Sequence, residues 1–207
     1  MSTTTAVVLE RPERLVLSEL ELTPPSDQDV VVDIEWSGIS TGTERLLYSG
    51  RMPQFPGMGY PLVPGYESVG RVVSAGPRSG GKVGERVFVP GARCFGDVRG
   101  LFGGAAARLV VPGARTVTIG DDLAEQGVLL ALTATAYHAT AAGAVPPDLI
   151  VGHGVLGRLL ARLAVAAGGE PVVWERNPSR VDGARGYRVV DPADDPRRDY
   201  HAIYDAS

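Results

Sequence analysis

Asp148-Leu149-Ile150-Val151-Gly152-His153-Gly154-Val155-Leu156-Gly157 sets a short apolar run directly before a G-x-G-x-x-G sequence. The context that this motif requires is present on both sides. An apolar strand precedes it, and Arg158 to Ala167 continues as a helix with Leu159, Leu160 and Leu163 on one stripe and Gly168-Gly169 as its stop. The next strand, Pro171-Val172-Val173-Trp174, ends in Glu175, 23 positions after Gly152, close to where an acid that binds a ribose belongs. The whole unit reads as a dinucleotide site. Gly152 permits the tight turn, Gly154 lets the backbone approach a pyrophosphate, and Gly157 lets helix and strand pack closely. Free N–H groups of the first helical turn then point at the phosphates, with the positive end of the helix dipole behind them. The cofactor-binding set is Gly152, His153, Gly154, Val155, Leu156, Gly157, Glu175 and Arg176. Glu175 can accept both ribose hydroxyls, whereas a 2′-phosphate would meet a like charge, so NAD is favoured over NADP. Arg176 and Arg180 keep the second coenzyme open, since an arginine just after this acid can pair with the 2′-phosphate.

With 207 residues, 44% of them hydrophobic, the chain can bury a sizeable core and suits one large or two small domains. A net charge of −4 and scattered arginines give no electrostatic footprint for nucleic acid or an anionic membrane. Cys94 is the only cysteine, which excludes a disulfide framework and a four-cysteine zinc site within one chain and fits a reducing cytoplasm. The first ten residues have no basic stretch before an apolar region, so no signal peptide is expected. Gly127 to Val145 carries no Asp, Glu, Lys or Arg over 19 residues, near the length that spans a bilayer. Thr133, Thr135, Tyr137, His138 and Thr140 sit among its alanines, which points instead to a helix buried between two soluble layers.

From residue 6 to about 120 the chain reads as short β-rich runs punctuated by Gly and Pro: Ala6 to Leu9, Leu15 to Leu22, Val30 to Trp36, Ser68 to Ser74, Arg86 to Pro90, Ala107 to Val111 and Thr116 to Ile119. Such a pattern predicts a β-barrel-like domain. Ser40 to Gly65, with four prolines and five glycines, is too long for a hairpin loop and is of the kind that carries function. At Asp121-Asp122 the pattern turns helical, with either aspartate as N-cap and Glu125 in the first turn. The domain boundary is therefore expected there, giving domains of residues 1–122 and 123–207. After it the order is helix, strand, helix, strand, then Arg188-Val189-Val190 and His201-Ala202-Ile203-Tyr204 as further strands, the start of a doubly wound parallel sheet in an α/β fold. The last residue, Ser207, follows the fourth strand of a fold that has six when whole. An incomplete, C-terminally truncated sheet is expected, unless the remaining strands are supplied in some other way.

The order of barrel-like domain and nucleotide fold, with Val83-Gly84-Glu85-Arg86-Val87 similar to a G-D-R-V turn, resembles the medium-chain dehydrogenase/reductase superfamily. The resemblance implies a GroES-like β-barrel domain followed by a Rossmann sheet. Where zinc members of that superfamily carry G-x-C-x-T-D and G-H-E, this chain reads Gly38-Ile39-Ser40-Thr41-Gly42-Thr43-Glu44 and Gly65-Tyr66-Glu67. Ser40 or Thr41 stands for the thiolate and Tyr66 for the imidazole, so a member without catalytic metal is expected. Ser40 to Pro53, followed by Phe55 to Ser68, is closely similar to the dehydrogenase family of bacteriochlorophyll synthesis. That family is implied to oxidise the 3-(1-hydroxyethyl) group of a bacteriochlorophyllide to an acetyl group with NAD. The partner implied is thus a small-molecule tetrapyrrole, with no nucleic acid and no membrane span, and a homodimer is one assembly open to it. A zinc-free quinone or enone reduction with NADPH and a non-catalytic nucleotide-binding protein stand as alternatives.

Without a metal, something else must take the alcohol proton while hydride leaves carbon. Tyr66, in the place of a former metal ligand, is the first candidate, as its phenol can hydrogen-bond the substrate oxygen and exchange its proton. Ser40 or Thr41 would hold the same oxygen or relay the proton, and Glu67 would orient Tyr66 or act through water. A purely structural Tyr66-Glu67 pair is the competing reading. His138 reads as a satisfied structural histidine, Glu44 with Arg45 as a loop salt bridge or cap, and Cys94 as a small buried hydrophobe. Met52, Phe55, Met58 and Tyr60 make the loop rich in large apolar side chains. They suit a flat macrocycle, or a loop packed on its own domain.

Overall fold

A computed structural model describes residues 2–141 and 145–207. The chain separates into two compact units, Met1–Ala131 and Leu132–Ser207. In the first, β1 (Thr3–Arg11) and β2 (Arg14–Glu21) form a hairpin, and a four-stranded sheet is completed by β4 (Leu62–Val63) and β7 (Arg99–Gly100) in the order β2-β1-β4-β7. A five-stranded sheet takes the order β8-β3-β5-β6-β9 from β3 (Asp29–Ser37), β5 (Ser68–Ala75), β6 (Arg86–Val89), β8 (Arg108–Pro112) and β9 (Val117–Thr118). Period-two alternation explains the packing: Ala6 and Val8 from β1 and Val30 and Val32 from β3 point inward into one core with Val63, Val72, Val89 and Leu109. The seven expected β-rich runs all coincide with strands. The two-residue strands β4 and β7 escape sequence reading, being too short to show a period.

The irregular stretch after β3 contains a single helix, α1 (Thr43–Tyr48). Met52, Met58 and Tyr60 pack with Leu9, Leu47, Leu62 and Leu101 in a satellite core, so these three belong to the loop's own support. Phe55 stays exposed. Cys94 is buried, with the Val110 N–H on its sulfur and its thiol pushed up by burial.

Around residue 121 the structure departs from expectation. Asp121–Leu129 is a 3-10 segment, with Ala124 at φ +42 breaking it, and Gly120 occupies the N-cap with no side-chain cap. The segment packs on β3, β5 and β6 of the first unit. Asp121 does not cap; its carboxylate is 2.9 Å from Arg71 and 3.2 Å from Arg86, and this ion-pair cluster ties the segment back to the sheet. The division between units accordingly falls at Ala131/Leu132, later than residue 122. The helix that follows, α2 (Leu130–Thr140), buries only Ala136, while Tyr137 and His138 are exposed. It is not a helix covered on two faces, because its alanines and threonines give it no apolar stripe broad enough to bury. Residues 142–144 of the charge-free stretch lie outside the described residues. Among the described residues no helix is long and apolar enough to cross a membrane.

In the second unit, β10 (Leu149–Val151), β11 (Val172–Trp174), β12 (Arg188–Val190) and β13 (Ile203–Asp205) form an all-parallel sheet in the order β12-β11-β10-β13. The central strand β10 is uniformly apolar because it is paired on both edges and covered. The crossover helix α3 (Val155–Ala166) buries Leu160, Ala161 and Ala164, with Leu156, Leu159 and Leu163 partly packed. Asp195, nearly inaccessible, accepts from Trp174 Nε1 at 2.6 Å and from the Tyr200 hydroxyl at 2.5 Å, which holds its carboxyl down to about 2.

Candidate active site and dinucleotide turn

Two short segments of the first unit bring the acid–base candidates together. Thr43 and Glu44 open α1, and Tyr66 and Glu67 lie between β4 and β5. The Tyr66 hydroxyl is 3.4 Å from Thr43 Oγ1, either able to donate, and the Phe102 and Tyr66 rings meet in a T-shaped contact at 5.4 Å between centroids. Thr43, not Ser40 or Thr41, is thus the hydroxyl beside the phenol. Ser40 contributes its backbone carbonyl to the Glu44 N–H at 3.0 Å, and the Thr41 side chain is exposed. The reason is geometric: Ser40 and Thr41 precede the helix, whereas Thr43 sits on its first turn and is aimed by it.

Glu67 is 4% exposed, and its Oε1 has no hydrogen-bond partner among the described residues; the same holds for Oε2 of Glu44. Gly38 makes room for the carboxylate, since a Cβ there would fall within 2.4 Å of Glu67 Oε2. Glu44 turns inward and forms no ion pair with Arg45 among the described residues, which replaces the loop salt bridge expected from sequence. Desolvation pushes the Glu44 carboxyl up to about 7, with the Glu67 charge adding to the rise and the backbone of Glu44 and Ser40 opposing it. Burial raises Glu67 as well. Partial burial and the neighbouring Glu67 charge thus favour the protonated form of Glu44. Spacing alone does not reveal Glu44 as a member of this group; the only hint is its place on the first turn of a helix next to Thr43.

Because the fold raises the Glu44 value above 4.5, it favours the protonated form. The associated stability is fully present below pH 4.5 and is lost as pH rises through about 7. Glu44→Gln should therefore stabilise the fold at about pH 8 by on the order of 1 kcal/mol, after allowing for solvent screening of a half-buried group, seen as a higher thermal midpoint, and change little near pH 4. Melting curves at the two pH values decide it. A gain of the same size at both would show that charge burial is not the cause.

In the second unit, β10 runs into Gly152 at φ +96, and a Cβ there would strike the backbone of Ala206 and Ser207 at 3.0 and 2.9 Å. At Gly157 a Cβ would lie 1.9 Å from the Gly152 carbonyl oxygen, so this glycine allows helix α3 to close on the turn. Gly154 differs from both: φ is −74, and nothing lies within 4 Å of a Cβ built on it. It caps α3 without side-chain help, and the N–H groups of Val155, Leu156 and Gly157 are those a helix start leaves without intrahelical acceptors.

Glu175 reaches over this turn. Its Oε2 accepts the His153 N–H at 3.0 Å and its Oε1 the Asn177 N–H at 2.8 Å, and these bonds hold the carboxyl below its usual value. The His153 ring points inward instead of lining a cofactor edge. It is 1% exposed, Nδ1 lies 2.5 Å from the Arg180 carbonyl, and Nε2 lies 2.8 Å from the Tyr187 hydroxyl. Its side chain fastens the turn to the following loop, leaving only its backbone facing Glu175. Arg176 is exposed.

A family profile described as the alcohol dehydrogenase GroES-like domain matches residues 26–121. Over 99% of its length the chain is 60% identical to the 2-desacetyl-2-hydroxyethyl bacteriochlorophyllide A dehydrogenase of Cereibacter sphaeroides. It is 58% identical to the enzyme of the same name from Rhodobacter capsulatus, again over 99% of the chain. It spans 66% of the length of each of these relatives. Among solved structures, an Escherichia coli CFT073 enzyme described as a short chain alcohol dehydrogenase, complexed with NADH, superposes over 100% of this chain and 70% of its own, with a TM-score of 0.78 and 23% identity. The β-rich unit with its GroES-like match, the parallel sheet behind a glycine turn and these relatives place the chain in the medium-chain dehydrogenase/reductase superfamily.

Proposed function

We propose that the protein oxidises the 3-(1-hydroxyethyl) group of a bacteriochlorophyllide to a 3-acetyl group, with NAD as hydride acceptor and without catalytic zinc. The observation that carries this is the 60% identity over 99% of the chain to an enzyme named for that substrate. The geometry supports the chemistry. Tyr66 offers its hydroxyl to the substrate alcohol, and Thr43 is the next hydroxyl in line. Glu44 and Glu67, next in sequence to those two, supply a buried acceptor for the proton released as hydride leaves carbon. With Glu44 near 7, that acceptor can take a proton and return it at neutral pH.

NAD fits the second unit. The open space over Gly154 and the free amides of α3 suit a pyrophosphate, and the ionised Glu175 suits ribose hydroxyls better than a 2′-phosphate. When bound, the nicotinamide supplies the hydride acceptor. Zinc does not fit the Tyr66 site, where a phenol and carboxylates stand without thiolate or imidazole. Among the described residues no three His, Cys, Asp or Glu side chains gather as ligands. The single cysteine, buried and unpaired, accords with a reducing cytoplasm.

The test is an assay of the purified protein with NAD and a 3-hydroxyethyl bacteriochlorophyllide. The expected result is the shifted absorption band of the acetyl pigment, formed at the same rate after chelation, in protein that contains no stoichiometric zinc. Failure to oxidise the pigment would remove the substrate assignment. About one zinc per chain, with activity lost on chelation, would remove the metal-free one.

A further inference from the structure

Beside Tyr66 the first unit carries a cleft of about 620 Å³, lined by Phe55, Val98, Phe102 and two arginines, Arg93 and Arg99. Its volume lies within the range of small-molecule sites. Phe102 joins the two places, since the ring that lines the cleft also makes a T-shaped contact with Tyr66, 5.4 Å between centroids. Phe55 and Phe102 are 38% and 44% exposed, so two aromatic rings stand open to solvent at the mouth of a small domain. Open aromatic surface of this kind marks a contact yet to be made.

The arginines are equally unspent. Arg99 donates Nη1 to the Tyr60 carbonyl at 3.3 Å and has no carboxylate partner among the described residues. Arg93 is exposed and enters no ion pair there, although the neighbouring Asp97 is an acid on the same loop. Three other guanidiniums on this unit, those of Arg71, Arg86 and Arg108, are each engaged with Glu35, Asp121 or Asp33. Two unpaired guanidiniums flanking an apolar, aromatic wall form a receptor for a flat apolar body that bears a carboxylate.

We propose that this cleft seats the macrocycle of the substrate, with Phe55 and Phe102 against its apolar body and Arg99 and Arg93 on a peripheral carboxylate, so that the protein selects the free-acid pigment over its ester. This rests on the tetrapyrrole assignment made above and adds the determinant by which the pigment is chosen. An esterified side chain has no charge for a guanidinium to pair with, and leaves two cations over an apolar surface without compensation.

The experiment compares a 3-hydroxyethyl bacteriochlorophyllide with its propionate methyl ester, measuring Kd by quenching of pigment fluorescence and KM in the NAD assay. The free acid is expected to bind the parent protein at least tenfold more tightly, with the gap narrowing at high salt. In the Arg93→Gln/Arg99→Gln double variant the acid should fall to the level of the ester, while the ester is unchanged. Arg99→Lys should retain part of the preference, because it keeps the charge and loses the fork. Should the double variant fold poorly, the acid–ester comparison on the parent and on Arg93→Gln alone still decides. Equal Kd and KM for acid and ester in a parent protein that oxidises both would overturn the proposal and leave the oxidation reading intact. Neither pigment binding nor reacting would overturn both.

Discussion

Tyr66→Phe is expected to lower turnover of the hydroxyethyl pigment by roughly a hundredfold or more, the span that a positioned acid–base group contributes. Only the phenolic oxygen is removed. The ring keeps its edge contact with Phe102, so the fold and the affinity for NAD should be unchanged, and the loss should appear in kcat more than in KM. Thr43→Val should follow with a smaller loss, since Thr43 is the hydroxyl beside the phenol, and should exceed Thr41→Val and Ser40→Ala, whose side chains do not meet Tyr66. Glu67→Gln and Glu44→Gln should flatten the rise of rate with pH around 7, because the pair then no longer loses its proton there. A Tyr66→Phe protein that oxidises the pigment at the parent rate would return Tyr66 to a structural role and make Glu67 the next base to test.

Gly154→Val should abolish measurable NAD(H) binding, a loss of at least about a hundredfold by calorimetry, while the protein remains folded. Both parts of the expectation come from the same geometry. The backbone at Gly154 has φ −74, which valine tolerates, and no atom of the protein lies within 4 Å of the new Cβ. The side chain therefore enters only the space where a pyrophosphate would approach the α3 amides. Gly157→Ala makes the contrast, as its Cβ would sit 1.9 Å from the Gly152 carbonyl oxygen and must displace the turn itself. Glu175→Ala should leave NAD bound but relax the discrimination against NADP, and through the lost His153 and Asn177 contacts loosen the turn. An unchanged NAD dissociation constant in Gly154→Val would mean the dinucleotide lies elsewhere.

Fold and glycine turn were both legible in the chain because they are local. Period-two alternation marked Val30 and Val32 as inward-facing, and G-x-G-x-x-G between an apolar strand and an apolar helix specifies a turn whose three glycines have separate steric duties. What sequence by itself could not determine is which hydroxyl faces which, and which acid is dry. Thr43 replaced Ser40 and Thr41 beside the phenol because a helix of six residues begins between them, and helix starts are set by tertiary contacts when no cap is present. Glu44 joined Glu67 because two segments distant in the chain bury both carboxyls at one place, and desolvation exists only once the surrounding atoms are assembled. For the same reason His153 became an internal clasp and Asp121 an ion-pair partner instead of a cap: a polar side chain in a compact unit takes whichever partner the packing brings within reach, and that partner is not written next to it.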